Sequence, residues 1–165
     1  MKFLSIKEYF YKLNTIGFIV LLLPITTFIF LYLIASRGVP VLTDSEDAQT
    51  LLIVATLLLL LDLTIVQWVY GVRIERMKTL IELAKRMDGF YSLTVMRLGS
   101  YCGCAIVMGA GYYLTQSHVF TGLFGLILLI IIFQRPTPAL FCRQFDLTRN
   151  EREMIMSGGD LIGKK

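Results

Sequence analysis

Long unbroken runs of apolar residues, rather than alternation with polar ones, set the pattern of this chain. Four runs stand near Thr15–Ala35, Thr50–Tyr70, Ser92–Leu114 and Val119–Gln134. A helix needs about 20 residues, at about 1.5 Å each, to cross the hydrocarbon of a bilayer. The first three runs meet that length. The fourth is short and is expected to end near Arg135, whose side chain snorkels, with Pro136 stopping the helix. The pattern predicts an all-α fold: a four-span transmembrane helical bundle that forms one integral membrane domain over residues 1–165. Segments 1–14, 71–91 and 135–165 would then lie outside the hydrocarbon.

Those outer segments also carry helical signals. Ser5 and Glu8 in "SIKE" match a capping box. The helix it opens sets Ile6, Tyr9, Phe10 and Leu13 at helical spacing. That predicts an amphipathic N-terminal helix lying in the interface before the chain turns inward. "TDSE" at 43–46 offers a cap for the second span. "VRIERMKTLIELAKRMDG" repeats Met77, Leu80, Ile81 and Ala84, so the second span is expected to run on as a helical extension that stops at Gly89. "TRNE" at 148–151 opens a short tail helix that "SGG" ends. Pro24 is expected to kink the first span, with Thr26 and Thr27 bonding nearby carbonyls.

Composition strengthens the membrane reading. The chain of 165 residues is 56% hydrophobic, with mean hydropathy +0.69; a soluble domain is nearer about 45–50% apolar. The first run is too long for the apolar core of a signal peptide.

Charge then supplies the threading. Lys and Arg gather in the N-terminus, in the central loop (Arg73, Arg76, Lys78, Lys85, Arg86) and in the tail from Arg135 onward. The loop between spans one and two has Arg37 beside Asp44, Glu46 and Asp47, and "TQSH" between spans three and four has no Lys or Arg. The positive-inside rule places both termini and the central loop in the cytoplasm, which fits a multi-pass protein of a bacterial inner membrane. A formal charge of +4 placed beside the spans points to lipid headgroups as its partner rather than to nucleic acid.

Candidate chemistry is sparse. Asp62 stands near the middle of the second run, where a charge is costly and usually faces the bundle interior. Arg97 is the other ionisable residue well inside a span. Counting from the cytoplasmic face, Asp62 lies about 15 Å in and Arg97 about 9 Å in, a gap of about 6 Å at 1.5 Å per residue. An intramembrane charge pair, Asp62–Arg97, is therefore expected. It has three readings: a clamp that registers two helices, a titratable or substrate-binding charge on a polar path, or a protonated Asp62 with Arg97 turned to the headgroups. Gly99 and Gly103 form G-x-x-x-G, and Ala105 and Gly109 repeat the small-residue spacing, a helix-packing signal in lipid. Trp68, Tyr70 and Tyr91 suit an aromatic belt.

Three cysteines (Cys102, Cys104, Cys142) and the single His118 make neither a zinc set nor a bis-histidine haem site. No catalytic constellation stands out, and no cofactor or metal is expected.

The tail "RPTPALFCRQFDLTRNE", with R-P-T, then D-L, then a capping Glu after four spans, resembles the close of small four-helix membrane proteins of bacteria. That resemblance implies a fold without an assigned activity. The function expected is non-enzymatic: an accessory or interaction subunit of the membrane, with the basic loop and tail as the surface for a membrane-protein partner or a second copy. The alternative is a small transporter or ion-coupled carrier using Asp62 and Arg97.

Overall fold

A computed structural model describes residues 5–38, 45–80, 82–145 and 147–158. These residues form α1 (Ile6–Ala35), α2 (Ser45–Lys78), α3 (Leu83–Thr115), α4 (His118–Phe133), α5 (Pro138–Gln144) and α6 (Arg149–Ser157), with no strand among them. Three helices, α1, α2 and α3, are long and apolar enough to cross a membrane. Each spans about 45–50 Å at 1.5 Å per residue, more than the hydrocarbon needs, so each continues beyond it.

The fourth run forms a helix as short as expected, stopped before Pro136. α4 has 16 residues, about 24 Å, and the chain then bends by 79° into α5. Pro136 and Pro138 break the ladder, and Thr137 restarts it by accepting a hydrogen bond from the Leu140 amide at 3.2 Å. A fourth crossing exists only if α4 and α5 count as one broken span.

α3 is the axis of the bundle. In its apolar window 44% of residues are buried, against 11% in α1 and 17% in α2. α1 runs parallel to α3: Tyr9 Oη donates to the Met87 carbonyl at 2.7 Å near one end, and Gln116 Nε2 donates to the Ala35 carbonyl at 3.0 Å near the other. α2 runs antiparallel to α3, with Met77 against Gly89 and Asp62 against Ser100. α4 returns along α3, with Phe120 against Gly111 and Gln134 reaching Tyr101. The outer faces of α1 and α2 leave Leu22, Phe30, Leu57 and Leu61 exposed. So continuous an apolar face is tolerable in lipid and not in water.

Two apolar clusters fill the interior. One joins the inner faces of α1 to α4 around Tyr101, Met108, Phe124 and Ile127. The other lies where the chain leaves the apolar zone, and it shows that the N-terminal segment is no separate interfacial helix. α1 is continuous from Ile6, and Ile6, Tyr9, Phe10 and Leu13 are buried against Phe90 of α3, Phe141 and Phe145. Phe141 is its hub, edge-on to Phe10 and Phe90 and tilted against Phe145 at 4.6 Å. The apolar stripe that suits a lipid surface is consumed by aromatic partners from the tail, which is the better solution because it excludes both water and lipid.

Other local expectations divide. Ser5 caps α1 by accepting from the Glu8 amide at 3.2 Å. Thr148 and Glu151 form the complete capping box, and Gly158, at φ 71°, ends α6 in the left-handed conformation that suits glycine. "TDSE" lies partly outside the described residues. α1 continues through Pro24, while Thr26 and Thr27 donate to the carbonyls of Leu22 and Leu23, each at 2.9 Å. Gly89 does not stop a helix. α2 ends at Lys78, and α3 begins at Leu83 and passes through Gly89, where a Cβ would sit on the Met77 sulfur. The glycine leaves the space that the Met77 side chain fills at the α2–α3 crossing and does not serve for termination.

Glu151 accepts from the Thr148 amide at 2.9 Å and hydroxyl at 2.8 Å, which holds its carboxyl below the usual range. A depressed carboxyl contributes stability above its ordinary pKa of about 4.3 and loses it as pH falls through the folded value. Amide protection across α6 is therefore expected to fall on acidification below that range, and the pH dependence to vanish in Glu151→Gln. Helix packing gives a second expectation. A Cβ at Gly111 would overlap the Phe120 ring, whereas one at Gly99 meets nothing within 4 Å. Gly111→Ala should cost about 1–3 kcal/mol by overpacking. Gly99→Ala should be neutral or gain up to about 1 kcal/mol from helix propensity, as read from denaturation midpoints in one detergent.

Candidate functional site

Two polar centres interrupt the apolar interior, both where α2 meets α3. The inner stripe of α2 carries Ala55, Leu59, Asp62, Val66 and Tyr70, three or four residues apart. α3 presents two faces to it. Ser100 and Cys104, one turn apart, face Asp62, and Arg97 and Tyr101 turn toward the core and Tyr70.

The first centre is a carboxyl with two neutral donors. Ser100 Oγ and Cys104 Sγ, the latter at 3.2 Å, both bond to Oδ2 of Asp62. Among the described residues Oδ1 accepts no hydrogen bond, and the side chain is half-buried. It stands in the wall of a groove of about 470 Å³ whose other walls are apolar: Leu58, Leu61, Ile65, Gly103, Val107 and Met108. The groove opens sideways, between the exposed side chains of Leu58, Leu61, Ile65 and Val107.

The second centre is built on Arg97, which is 4% exposed. Its Cζ lies 4.0 Å from the centre of the Tyr70 ring, and Nη2 donates to the Gln134 carbonyl at 3.3 Å. That carbonyl belongs to the C-cap of α4. The negative end of the helix dipole and its unpaired carbonyls therefore face the cation. Arg97 Nε is buried with no hydrogen-bond partner. Tyr101 Oη donates to Gln134 Oε1 at 3.1 Å, and Tyr70 Oη donates to Gln144 Oε1 at 2.9 Å.

The expected charge pair is therefore not formed. Asp62 and Arg97 share the α2–α3 interface, but each has its own partners, and no ion pair within 4.0 Å joins them. Compatible depth alone does not bring the two side chains together. Arg97 and Ser100 are three residues apart on α3, and the helical rotation between them carries the arginine toward α4.

The small residues divide in the same way. Ala105 is fully buried, and a Cβ at Gly109 would lie 3.4 Å from the Phe28 ring, so this pair admits α1 closely. Gly99 and Gly103 are exposed, and a Cβ at either would meet nothing within 4 Å. Trp68 points outward at 70% exposure, as a belt residue does, but Tyr70 is interior. His118 is exposed at the start of α4. Among the described residues no three His, Cys, Asp or Glu side chains gather as a metal site would require.

Reasoning from the sequence missed Ser100, Cys104, Gln134 and Gln144. The signal for the first two was present, because residues one turn apart opposite a membrane carboxyl are its nearest donors.

An ion pair between Asp62 and Arg97 would couple them energetically. Their separate partners predict a double-mutant interaction energy for Asp62→Asn with Arg97→Leu below about 0.5 kcal/mol, the level of independent sites. Asp62→Asn with Ser100→Ala should couple by about 1 kcal/mol, the size of one hydrogen bond. Both cycles are read from unfolding in detergent.

No family model, curated protein or solved structure matches this chain.

Proposed function

We propose that the protein is a non-enzymatic membrane subunit that seats a helix of another membrane protein, or of a second copy, in its α2–α3 groove. The observation that carries this reading is Asp62, a half-exposed carboxyl with one free oxygen in an otherwise apolar groove open to lipid. Facing hydrocarbon alone, that oxygen would be left without a partner, a state that costs several kcal/mol per group. A docked helix carrying a hydroxyl, amide or cation would satisfy it. The open glycines support this, since Gly103 lines the groove and Gly99 lies one turn away on the same side of α3. Both leave room for a backbone to approach.

On this reading the protein sits in the cytoplasmic membrane of a bacterium with both termini inside, and α4 with α5 completes a fourth crossing. Support comes from the gathering of cationic segments at one end of the bundle. The end of α2, the starts of α1 and α3, α5 and α6 all contribute to the cluster around Phe141. Reporter fusions at residue 81 and at the C-terminus test it; an exterior signal at either would refute the threading. The exposed basic face of this end is then a second contact surface, because α6 leaves Met154 and Met156 uncovered.

The carrier reading has one observation in its favour. Asp62, unpaired with Arg97, presents a carboxyl oxygen to whatever enters the groove. A flux into liposomes that depends on pH and disappears in Asp62→Asn would favour it over the subunit reading.

The subunit reading makes a sharper demand on Gly103. Gly103→Leu places a side chain in the groove and nothing in the bundle interior. It should leave the melting temperature within a few degrees of wild type while the membrane partner no longer co-purifies. A wild-type protein that purifies as a lone monomer under mild extraction would sink the proposal.

A further inference from the structure

A second cavity, of about 480 Å³, opens beside Arg97 where α2, α3, α4 and α5 converge. Its polar walls are unusual in sign. Arg97 and Arg143 contribute guanidinium groups. Gln134 and Gln144 contribute amides whose oxygens are already engaged by Tyr101 and Tyr70. Each amide is thereby left with its NH2 as the free end. Glu75 also lines the cavity, its exposed carboxylate paired with Lys78 Nζ at 2.7 Å, and Gln67 adds a further amide.

Two guanidinium groups against one ion-paired carboxylate leave the cavity net positive and rich in donors. Arg97, more than nine-tenths buried, has an Nε without a partner. A guanidinium in this setting is a fork for an oxyanion, and phosphate matches it in geometry and charge.

The rim says where the anion comes from. Phe133, 83% exposed, and Leu140 flank the polar walls, and Trp68 stands outward nearby on α2. On the threading proposed above, on which this step rests, the cavity lies at the depth where α4 ends and the chain meets the headgroup layer. We infer that the Arg97–Arg143 cavity binds a phosphate group, and that the phosphate of an anionic phospholipid is its natural occupant, with the acyl chains running along Phe133 outside the bundle. This site is separate from the Asp62 groove, and either can fail alone.

The test uses the full chain, delipidated in a neutral detergent, with unfolding followed by the fluorescence of its single tryptophan, Trp68. Three probes are added: phosphatidic acid, the matching diacylglycerol, and inorganic phosphate. Phosphatidic acid should raise the melting temperature saturably, and diacylglycerol should not. If inorganic phosphate protects equally well, the site takes free phosphate; if it does not, the lipid source is established. Either outcome keeps the anion site.

Arg143→Gln, at an exposed position on the rim, and Gln144→Glu, which sets a carboxylate against the ligand, should each weaken half-saturation by about tenfold or more, the loss of one charge-assisted bond. Arg97→Gln should abolish the effect where it folds. Lys85→Gln, equally basic but outside the cavity, should match wild type. The inference is overturned if no phosphate probe stabilises the wild type, if diacylglycerol does as well as phosphatidic acid, or if Lys85→Gln loses as much as Arg143→Gln.

Discussion

A buried guanidinium without a carboxylate is the constraint on which the arrangement depends. Arg97 cannot be left bare inside an apolar bundle, and it is met by three kinds of partial negative charge. These are the Gln134 carbonyl, the face of Tyr70 and the C-terminal dipole of α4. The requirement explains why α4 is short. Its C-terminus must end within reach of Arg97, so the helix stops after 16 residues and the chain turns sharply at Pro136. Orphan carbonyls that would be a liability at a helix end become the ligand for the cation. Through Tyr70 and Gln144 the same contact reaches α5, so one side chain ties four helices together.

α3 can serve as the axis because its surface is divided by residue size. Where α1 must come close, Ala105 and Gly109 remove the obstacle, and Phe28 and Leu31 fill the space. Where α4 crosses, Gly111 makes room for Phe120. Gly99 and Gly103 follow the same spacing on a different face and meet nothing. Association between helices in lipid has no hydrophobic drive and relies on close packing. A smooth strip with no partner in its own chain is therefore the part of α3 best suited to meet one from elsewhere.

The apolar blocks and their antiparallel succession are legible in the sequence because lipid imposes length and composition on each helix separately. Caps are legible for the same reason of locality: Ser5 and the Thr148–Glu151 box act within one turn. What depends on rotation about a helix axis is not legible from depth alone. Asp62 and Arg97 sit at compatible depths, yet Ser100 and Cys104 occupy the face that Arg97 would need. The N-terminal stripe of Ile6, Tyr9, Phe10 and Leu13 reads equally well as lipid-facing or core-facing, and only the arrival of Phe141 and Phe145 from the far end of the chain decides it. Gly89 misleads because a glycine permits both a helix end and a close crossing, and the sequence does not contain Met77's position.

The separation of the two charges bears most on function. Had Asp62 and Arg97 met, each would have neutralised the other, and the bundle would be electrically closed. Apart, each is only partly satisfied: the acid by two neutral donors, the cation by dipoles and a ring. Such half-compensation gains less stability than either a full pair or an apolar substitute would. Groups held this way inside a membrane are expected to meet something the chain itself does not supply. The two point in different directions, Asp62 sideways into a greasy groove and Arg97 toward the boundary beneath α5. A donor on a neighbouring helix fits the first and an oxyanion at the headgroup level fits the second. The proposed subunit, meeting both a partner and the lipid around it, would need that division, and a self-neutralised pair would leave it neither.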